Sequence, residues 1–285
     1  MVQMDGSHHD WFEGRRGRAV LMVAIDDATN QTYARFFEEE TTAAAFATFK
    51  RYVGWYGLPR ALYVDKDSIY RPGRDKTVDE ELAGEPAKTQ FGRAMAKLGV
   101  KLICAHSPQA KGRVERRNGV FQDRLVKALR LEGISDLDSA NAYLEKSFLP
   151  ELNARFTVVA KQSSDLHRRV PARLALDWVL AFEEERVVQN DWTVRWRNRW
   201  FQLTAANGRL ALAGKRVLVR EQLDGTIALL YGGRELEWRE LPARPEPAPK
   251  QTASAERVEC NGPVPGGSPW KPPAEHPWRR GFKGK

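Results

Sequence analysis

The chain has 285 residues, enough for one or two domains with a real buried core. Forty-six Lys and Arg against thirty-seven Asp and Glu give a formal charge of +9 and a pI near 9.6, which suits a polyanionic partner. Its two cysteines, Cys104 and Cys260, are too far apart in sequence to indicate a disulfide framework or a zinc site, and neither a membrane-length apolar run nor a signal-peptide pattern is present, so a soluble intracellular protein is expected.

A short strand over residues 2–7 opens the chain and contains Asp5. Residues 19–26, AVLMVAID, are continuously apolar, the mark of a buried strand. Turn chemistry at 27–31 leads into TYARFF at 32–37, which alternates as a partly exposed strand does. Thr41 or Thr42 then caps an Ala- and Phe-rich helix with Phe46, Phe49, Val53 and Tyr56 on one face, closed by Gly57-Leu58-Pro59. Residues 61–64 form a short buried strand ending at Asp65, and the polar, Gly- and Pro-punctuated stretch 71–88 is a surface insertion. A helix over 89–98 and a fifth strand over 100–104 follow.

Residues 105–130, AHSPQAKGRVERRNGVFQDRLVKALR, run from a loop marked by Ser107-Pro108 and Gly112 into an amphipathic helix. Seven Lys or Arg stand against Glu115 and Asp123 between residues 105 and 131. Glu115 lies in the first helical turn, with Asn118, Gly119 and Gln122 above it on the same face. A carboxylate ringed by cations stays ionised and suits a metal or a salt bridge. Taken singly, each acid also has an ordinary reading. Asp5 is a solvated acid, Asp65 a turn cap with Asp67 as its rival two residues on, and Glu115 a surface acid paired to Arg.

The block HSPQAKGRVERRNGVFQDRL resembles the third-carboxylate block of DDE transposases and retroviral-type integrases, especially bacterial insertion-sequence transposases with an integrase-type core. VQMDGSHHDWFEG and ALYVDKDSIY supply, in the expected order, the two earlier aspartates. The interval from Asp65 to Glu115, 115 − 65 = 50 positions, is longer than the family's commonest spacing, and the excess falls in the 71–88 insertion. The resemblance implies a ribonuclease H-like α/β fold: a mixed five-stranded sheet with flanking helices, its first and fourth strands adjacent. It implies that Asp5, Asp65 and Glu115 are the catalytic carboxylates and hold two Mg²⁺ or Mn²⁺ ions, with Asp5 bridging both. Substrate would be double-stranded DNA, as element ends and target, acted on by a homo-oligomer in the bacterial cytoplasm near the nucleoid. Relatives usually carry helix-turn-helix segments ahead of the core, and a chain that opens close to Asp5 is expected to lack them.

Beyond the core, residues 135–148 read as a helix, 151–185 as a helical linker, and 186–241 as a small basic β-barrel with Asn-Gly and Asp-Gly turns. Residues 242–285, rich in Pro and Gly, read as a disordered tail, and 1–150 as the catalytic core. Residues 186–220 carry eight basic residues against Asp191 alone, with Trp192, Trp196 and Trp200 interleaved, as backbone contacts or as barrel core. DNA contacts are expected from Gln109, Lys111, Arg113, Arg116 and Arg117 around Glu115, and from Arg195, Arg197 and Arg199. Rival readings are a DNA-binding remnant without catalysis and a ribonuclease H-type nuclease.

Overall fold

The computed structural model describes residues 1–73, 75, 81, 87–104, 112–162, 165–172 and 174–243. Most of the 71–88 insertion, the loop with Gln109 and Lys111, and nearly all of the 242–285 tail therefore lie outside the described residues.

Strands β1 (Val2–His9), β2 (Ala19–Asp26) and β3 (Thr32–Phe37) form an antiparallel meander. Helix α1 (Thr42–Tyr56) leads to β4 (Ala61–Val64), and α2 (Gln90–Leu98) to β5 (Lys101–Cys104). The sheet order is β3-β2-β1-β4-β5, with β4 parallel to both β1 and β5. This is the mixed five-stranded sheet expected, with β1 at its centre. All eight residues of β2 are buried, so helices cover both faces of the sheet.

Both early helices begin where their sequences say they should. Thr41 Oγ1 accepts from Ala44 N at 3.1 Å, and Thr89 Oγ1 accepts from Gly92 N at 3.0 Å. They end on Gly57 and Gly99, at φ 92° and 66°, where a side chain would be strained.

Helix α3 (Gly112–Leu131) crosses the sheet and is followed by α4 (Leu137–Tyr143). The chain then widens into a π-helical turn over Leu144–Phe148 and resumes as α5 (Leu149–Phe156). The expected helical end near residue 150 is thus replaced by a continuation. Pro150 falls in the first turn of α5, where its missing N–H costs nothing, and the wide turn before it absorbs the change of register.

The expected helical linker is only partly helical. A short α6 (Leu176–Val179) is followed by a strand, β6 (Phe182–Val187), where helix was expected. FEEERV has no alternation of its own, and β9 (Arg216–Glu221) pairs with it along its whole length. Glu183 joins this strand to the core. Gln90 of α2 exchanges two hydrogen bonds with the Glu183 backbone, at 2.6 and 3.0 Å. The Glu183 carboxylate also bridges Arg93 at 2.9 Å and Arg220 at 2.6 Å.

The rest of the C-terminal region is β-rich. Strands β7 (Thr193–Trp196), β8 (Arg199–Leu203) and β12 (Trp238–Leu241) form one sheet. Strands β10 (Ile227–Tyr231) and β11 (Arg234–Glu235) join β9 and β6 in another. Both sheets bury side chains in one cluster that includes Trp196, Phe201, Val219 and Leu229. No ladder closes them into a barrel among the described residues, and Trp196 belongs to the core.

The edge strand β3 is sealed by side chains. Asn141 of α4 accepts from Phe36 N at 2.8 Å and donates to Phe36 O at 3.1 Å. Asn153 of α5 does the same at Thr32, at 2.8 Å in both directions. Each amide serves as a piece of neighbouring strand. Asn141→Leu leaves a buried N–H and C=O unmatched and is expected to destabilise the fold by roughly 2–4 kcal/mol, read from the urea midpoint. A loss below about 0.5 kcal/mol would show that the edge is satisfied some other way.

Candidate active site

Alternate residues of β1 meet every fourth residue of α3. Gln3 Oε1 accepts from Val114 N at 3.1 Å, Asn118 Nδ2 donates to Asp5 Oδ2 at 3.4 Å, and Gln122 Nε2 donates to Ser7 Oγ at 3.4 Å. The match is geometric: two strand residues advance about 6.7 Å and four helical residues about 6 Å. A polar stripe on a central strand is thereby hydrogen-bonded, and Asp5 is fixed on the α3 face.

Asp65 reaches the same place through sheet register. Val2 pairs with Leu62 and Gln3 with Tyr63, an offset of 62 − 2 = 60. Continued past the ladder, that offset sets Asp5 beside Asp65 on the same face, since 65 − 5 = 60. Asp65 Oδ1 accepts from Asp67 N at 3.0 Å, which orients the carboxylate. Asp67 turns its own carboxylate to Ile69 N and Ser68 Oγ, at 2.9 and 3.2 Å, and so serves the turn.

Glu115 sits exposed in the first turn of α3, three residues before Asn118. The β1–β4 ladder points Asp5 and Asp65 toward one end of the sheet, and Asn118 holds the helix bearing Glu115 against β1. Among the described residues no group of three His, Cys, Asp or Glu side chains converges as a metal cage.

A further carboxylate arrives from the opposite face. Gly6, next to Asp5, has no side chain, and a Cβ there would lie 2.1 Å from Glu40 Oε2. Glu40, just before α1, therefore rests directly on β1, 3.1 Å from His8 Nε2 and only 18% exposed. Burial pushes the Glu40 carboxyl up from its usual value, Asp65 and Asp5 add to the rise, and the His8 contact opposes it. Tyr70 is buried near the same charges. Its hydroxyl is driven well above the usual range by burial first and then by Glu40, Asp65 and Asp5. Glu40 escaped sequence reading because it belongs to the run Glu38-Glu39-Glu40, which looks like a solvated turn; the Gly beside Asp5 was the available signal.

The donor set is all oxygen. Besides the carboxylates, the buried Asn118 Oδ1 has no hydrogen-bond partner while its amide nitrogen holds Asp5. Such a set fits a hard divalent cation such as Mg²⁺ or Mn²⁺ and offers nothing to a soft metal.

The expected DNA contacts fall into different environments. Arg113 binds Asp27 at 2.7 Å, Arg116 is exposed, and Arg117 is buried against Phe156. In β7, Arg195 lies over Trp200 and is exposed. Arg197 pairs with Glu221 at 2.7 Å, and Arg199 pairs bidentately with Glu240 at 2.7 and 2.8 Å.

The sequence is 38% identical over 243 residues to the protein y4bF of Sinorhizobium fredii, named for a transposase, covering 84% of this chain and 51% of that one. It is 30% identical over 289 residues to the transposase for insertion sequence IS1202 of Streptococcus pneumoniae, covering 98% and 57%. Its curated homologues are transposases of insertion sequences. The chain spans about half the length of these relatives. No protein-family profile matches it. The HTLV-2 integrase catalytic core domain in complex with magnesium superposes with a TM-score of 0.38 at 18% identity, over 50% of this chain and 80% of that one. An intasome chain of simian T-cell lymphotropic virus gives 0.40 at 14% identity, over 85% and 78%. Among the described residues no helix is long and apolar enough to cross a membrane.

The crowding of Glu40 has a measurable sign. Because its carboxyl is raised in the fold, ionisation opposes folding, and stability is lost as pH rises through the folded value. In chelator, Glu40→Gln is expected to raise Tm near about pH 8 and leave it nearly unchanged near about pH 4, where both side chains are neutral. A fall in Tm at the higher pH would mean that the His8–Glu40 contact outweighs the repulsion.

Proposed function

We propose that this chain carries the catalytic core of an integrase-type DDE transposase, cutting and joining DNA strands with Asp5, Asp65 and Glu115 as its catalytic carboxylates. The observation that supports this reading is the β1–β4 register, whose extension would set Asp5 beside Asp65, together with the packing of the Glu115 helix on β1. Similarity to transposases over most of the chain supports it. In this reading residues 1–150 are the catalytic core, the β-rich 186–241 region binds DNA backbone, and the protein acts as a homo-oligomer on DNA.

Two bound Mg²⁺ or Mn²⁺ ions would supply Lewis-acid stabilisation of the attacking and leaving oxygens of an in-line phosphoryl transfer. Asp5 and Asp65 would hold them, with Glu115 closing the set from α3. Asn118 keeps Asp5 in one rotamer by hydrogen bonding to Oδ2, and the Asp67 amide does the same for Asp65. Glu40, on the opposite face of β1 in the space left by Gly6, adds negative charge near Asp5 and Asp65. Lys111, outside the described residues, and the exposed Arg116 and Arg195 would neutralise phosphates, and Gln109, also outside them, would donate a hydrogen bond. Arg113, Arg197 and Arg199, held by acids, would serve the backbone more weakly, since DNA must compete with Asp27, Glu221 and Glu240.

A DNA-binding protein without catalysis is the second reading, favoured by the exposure of Glu115. Strand transfer of pre-cleaved element ends in Mg²⁺ separates the two. Asp65→Asn is expected to lower the rate roughly a hundredfold or more while leaving DNA affinity within about twofold, because it removes a ligand and no phosphate contact. Loss of activity with Asp67→Asn and not with Asp65→Asn would reverse the assignment. Absence of Mg²⁺-dependent transfer in the unmodified protein would favour the second reading.

A further inference from the structure

The 3.6-residue period of α3 places Asn118 and Gln122 on the flank facing Asp5 and Ser7, and Arg113, Arg117 and Val120 on the other. On that second flank lies a pocket of about 220 Å³. Ile25 lines it from β2, Asn30 from the β2–β3 connection, Arg113, Arg116 and Arg117 from α3, and Phe156 from the end of α5.

Arg117 is the anomaly there. It is only 6% exposed, and its guanidinium lies 4.9 Å from the Phe156 ring centre. Among the described residues its one hydrogen bond is a long 3.5 Å contact from Nη2 to Asn30 O, and Nη1 has no partner. Arg220, the other buried arginine among the described residues, is by contrast matched by the Glu183 carboxylate at 2.6 Å. Buried charges are normally paired, because desolvation without a counter-charge opposes folding. Arg113 does not relieve the deficit, since Asp27 and Asn30 Oδ1 already hold it at 2.7 and 2.9 Å. Arg116 is exposed, with Nε bonded to Gly112 O at 2.8 Å. Three arginines against Asp27 leave the pocket two positive charges in excess.

We propose that this pocket is a binding site for a phosphate-class oxyanion, with Arg117 Nη1 as the buried donor and Arg116 at the mouth. A guanidinium presents a planar fork suited to a tetrahedral oxyanion, and two excess charges match a dianion. The site lies on the opposite flank of α3 from Asp5 and is independent of any strand-transfer chemistry. An occupied site would brace the first turns of the helix that carries Glu115.

Inorganic phosphate is the probe. The whole chain is expected to show a saturable rise in Tm with phosphate against chloride at matched ionic strength, with broadening of the ³¹P resonance. Arg117→Met keeps an apolar contact to Phe156 and should abolish both responses. Arg116→Gln, at an exposed position, should weaken apparent affinity roughly tenfold and keeps the test decisive if Arg117→Met does not fold. No saturable response in the unmodified chain, or an undiminished response in the variants, would overturn the site. Titration with a short DNA duplex separates sources. Loss of the ³¹P response assigns the site to a backbone phosphate, and its persistence assigns it to a free oxyanion.

Discussion

The fold depends on how a central strand disposes of its polar side chains. Gln3, Asp5 and Ser7 lie on one face of β1, between two neighbouring strands and under a helix, where unmatched groups would be costly. Their matching by Val114, Asn118 and Gln122 fixes the axial position of α3 to within one turn. A slip by one residue would strand all three contacts at once. The helix therefore cannot be moved to suit a substrate without breaking these contacts, and Asp5 is held in place with it.

Side-chain amides standing in for backbone recur elsewhere. Asn141 and Asn153 complete β3, and Gln90 completes the Glu183 end of β6. Arg15 plays a related part at the end of α3, donating to Leu129 O and Ile134 O at 3.3 and 3.0 Å, where a helix leaves its carbonyls open. These long-range contacts hold elements distant in sequence, and each satisfies polar groups while leaving the apolar core undisturbed.

What could be read from sequence was mostly local. The capped helices α1 and α2, the buried run of β2 and the succession of five strands along the chain follow from residue patterns, because caps, Gly stops and periodicity act within a few residues, whereas their order in the sheet came from the family resemblance as well. Asp5, Asp65 and Glu115 stood out only as an ordered set, and the register between β1 and β4 gives the first two a physical reason to meet. Features set by distant partners stayed hidden. The FEEERV segment became a strand because β9 and Gln90 were waiting for it, the π turn answers Pro150 within a packed helix pair, and Glu40 acquires meaning only from Gly6 across the sheet. Arg117 looked like one more surface cation in a basic helix; Phe156, thirty-nine residues on (156 − 117 = 39), buries it.

The seal on β3 also imposes an order on biosynthesis. The strand ends at Phe37, yet the amides that close its outer edge arrive at Asn141 and Asn153, so 153 − 37 = 116 further residues must be made before both are in place. At about 5–20 residues per second that is roughly 6–23 s during which a nascent β3 can offer unpaired backbone to any neighbouring chain. Ribosomes translating one message in file would hold several such edges close together. For this protein the hazardous interval is therefore on the ribosome, and it ends when α5 emerges.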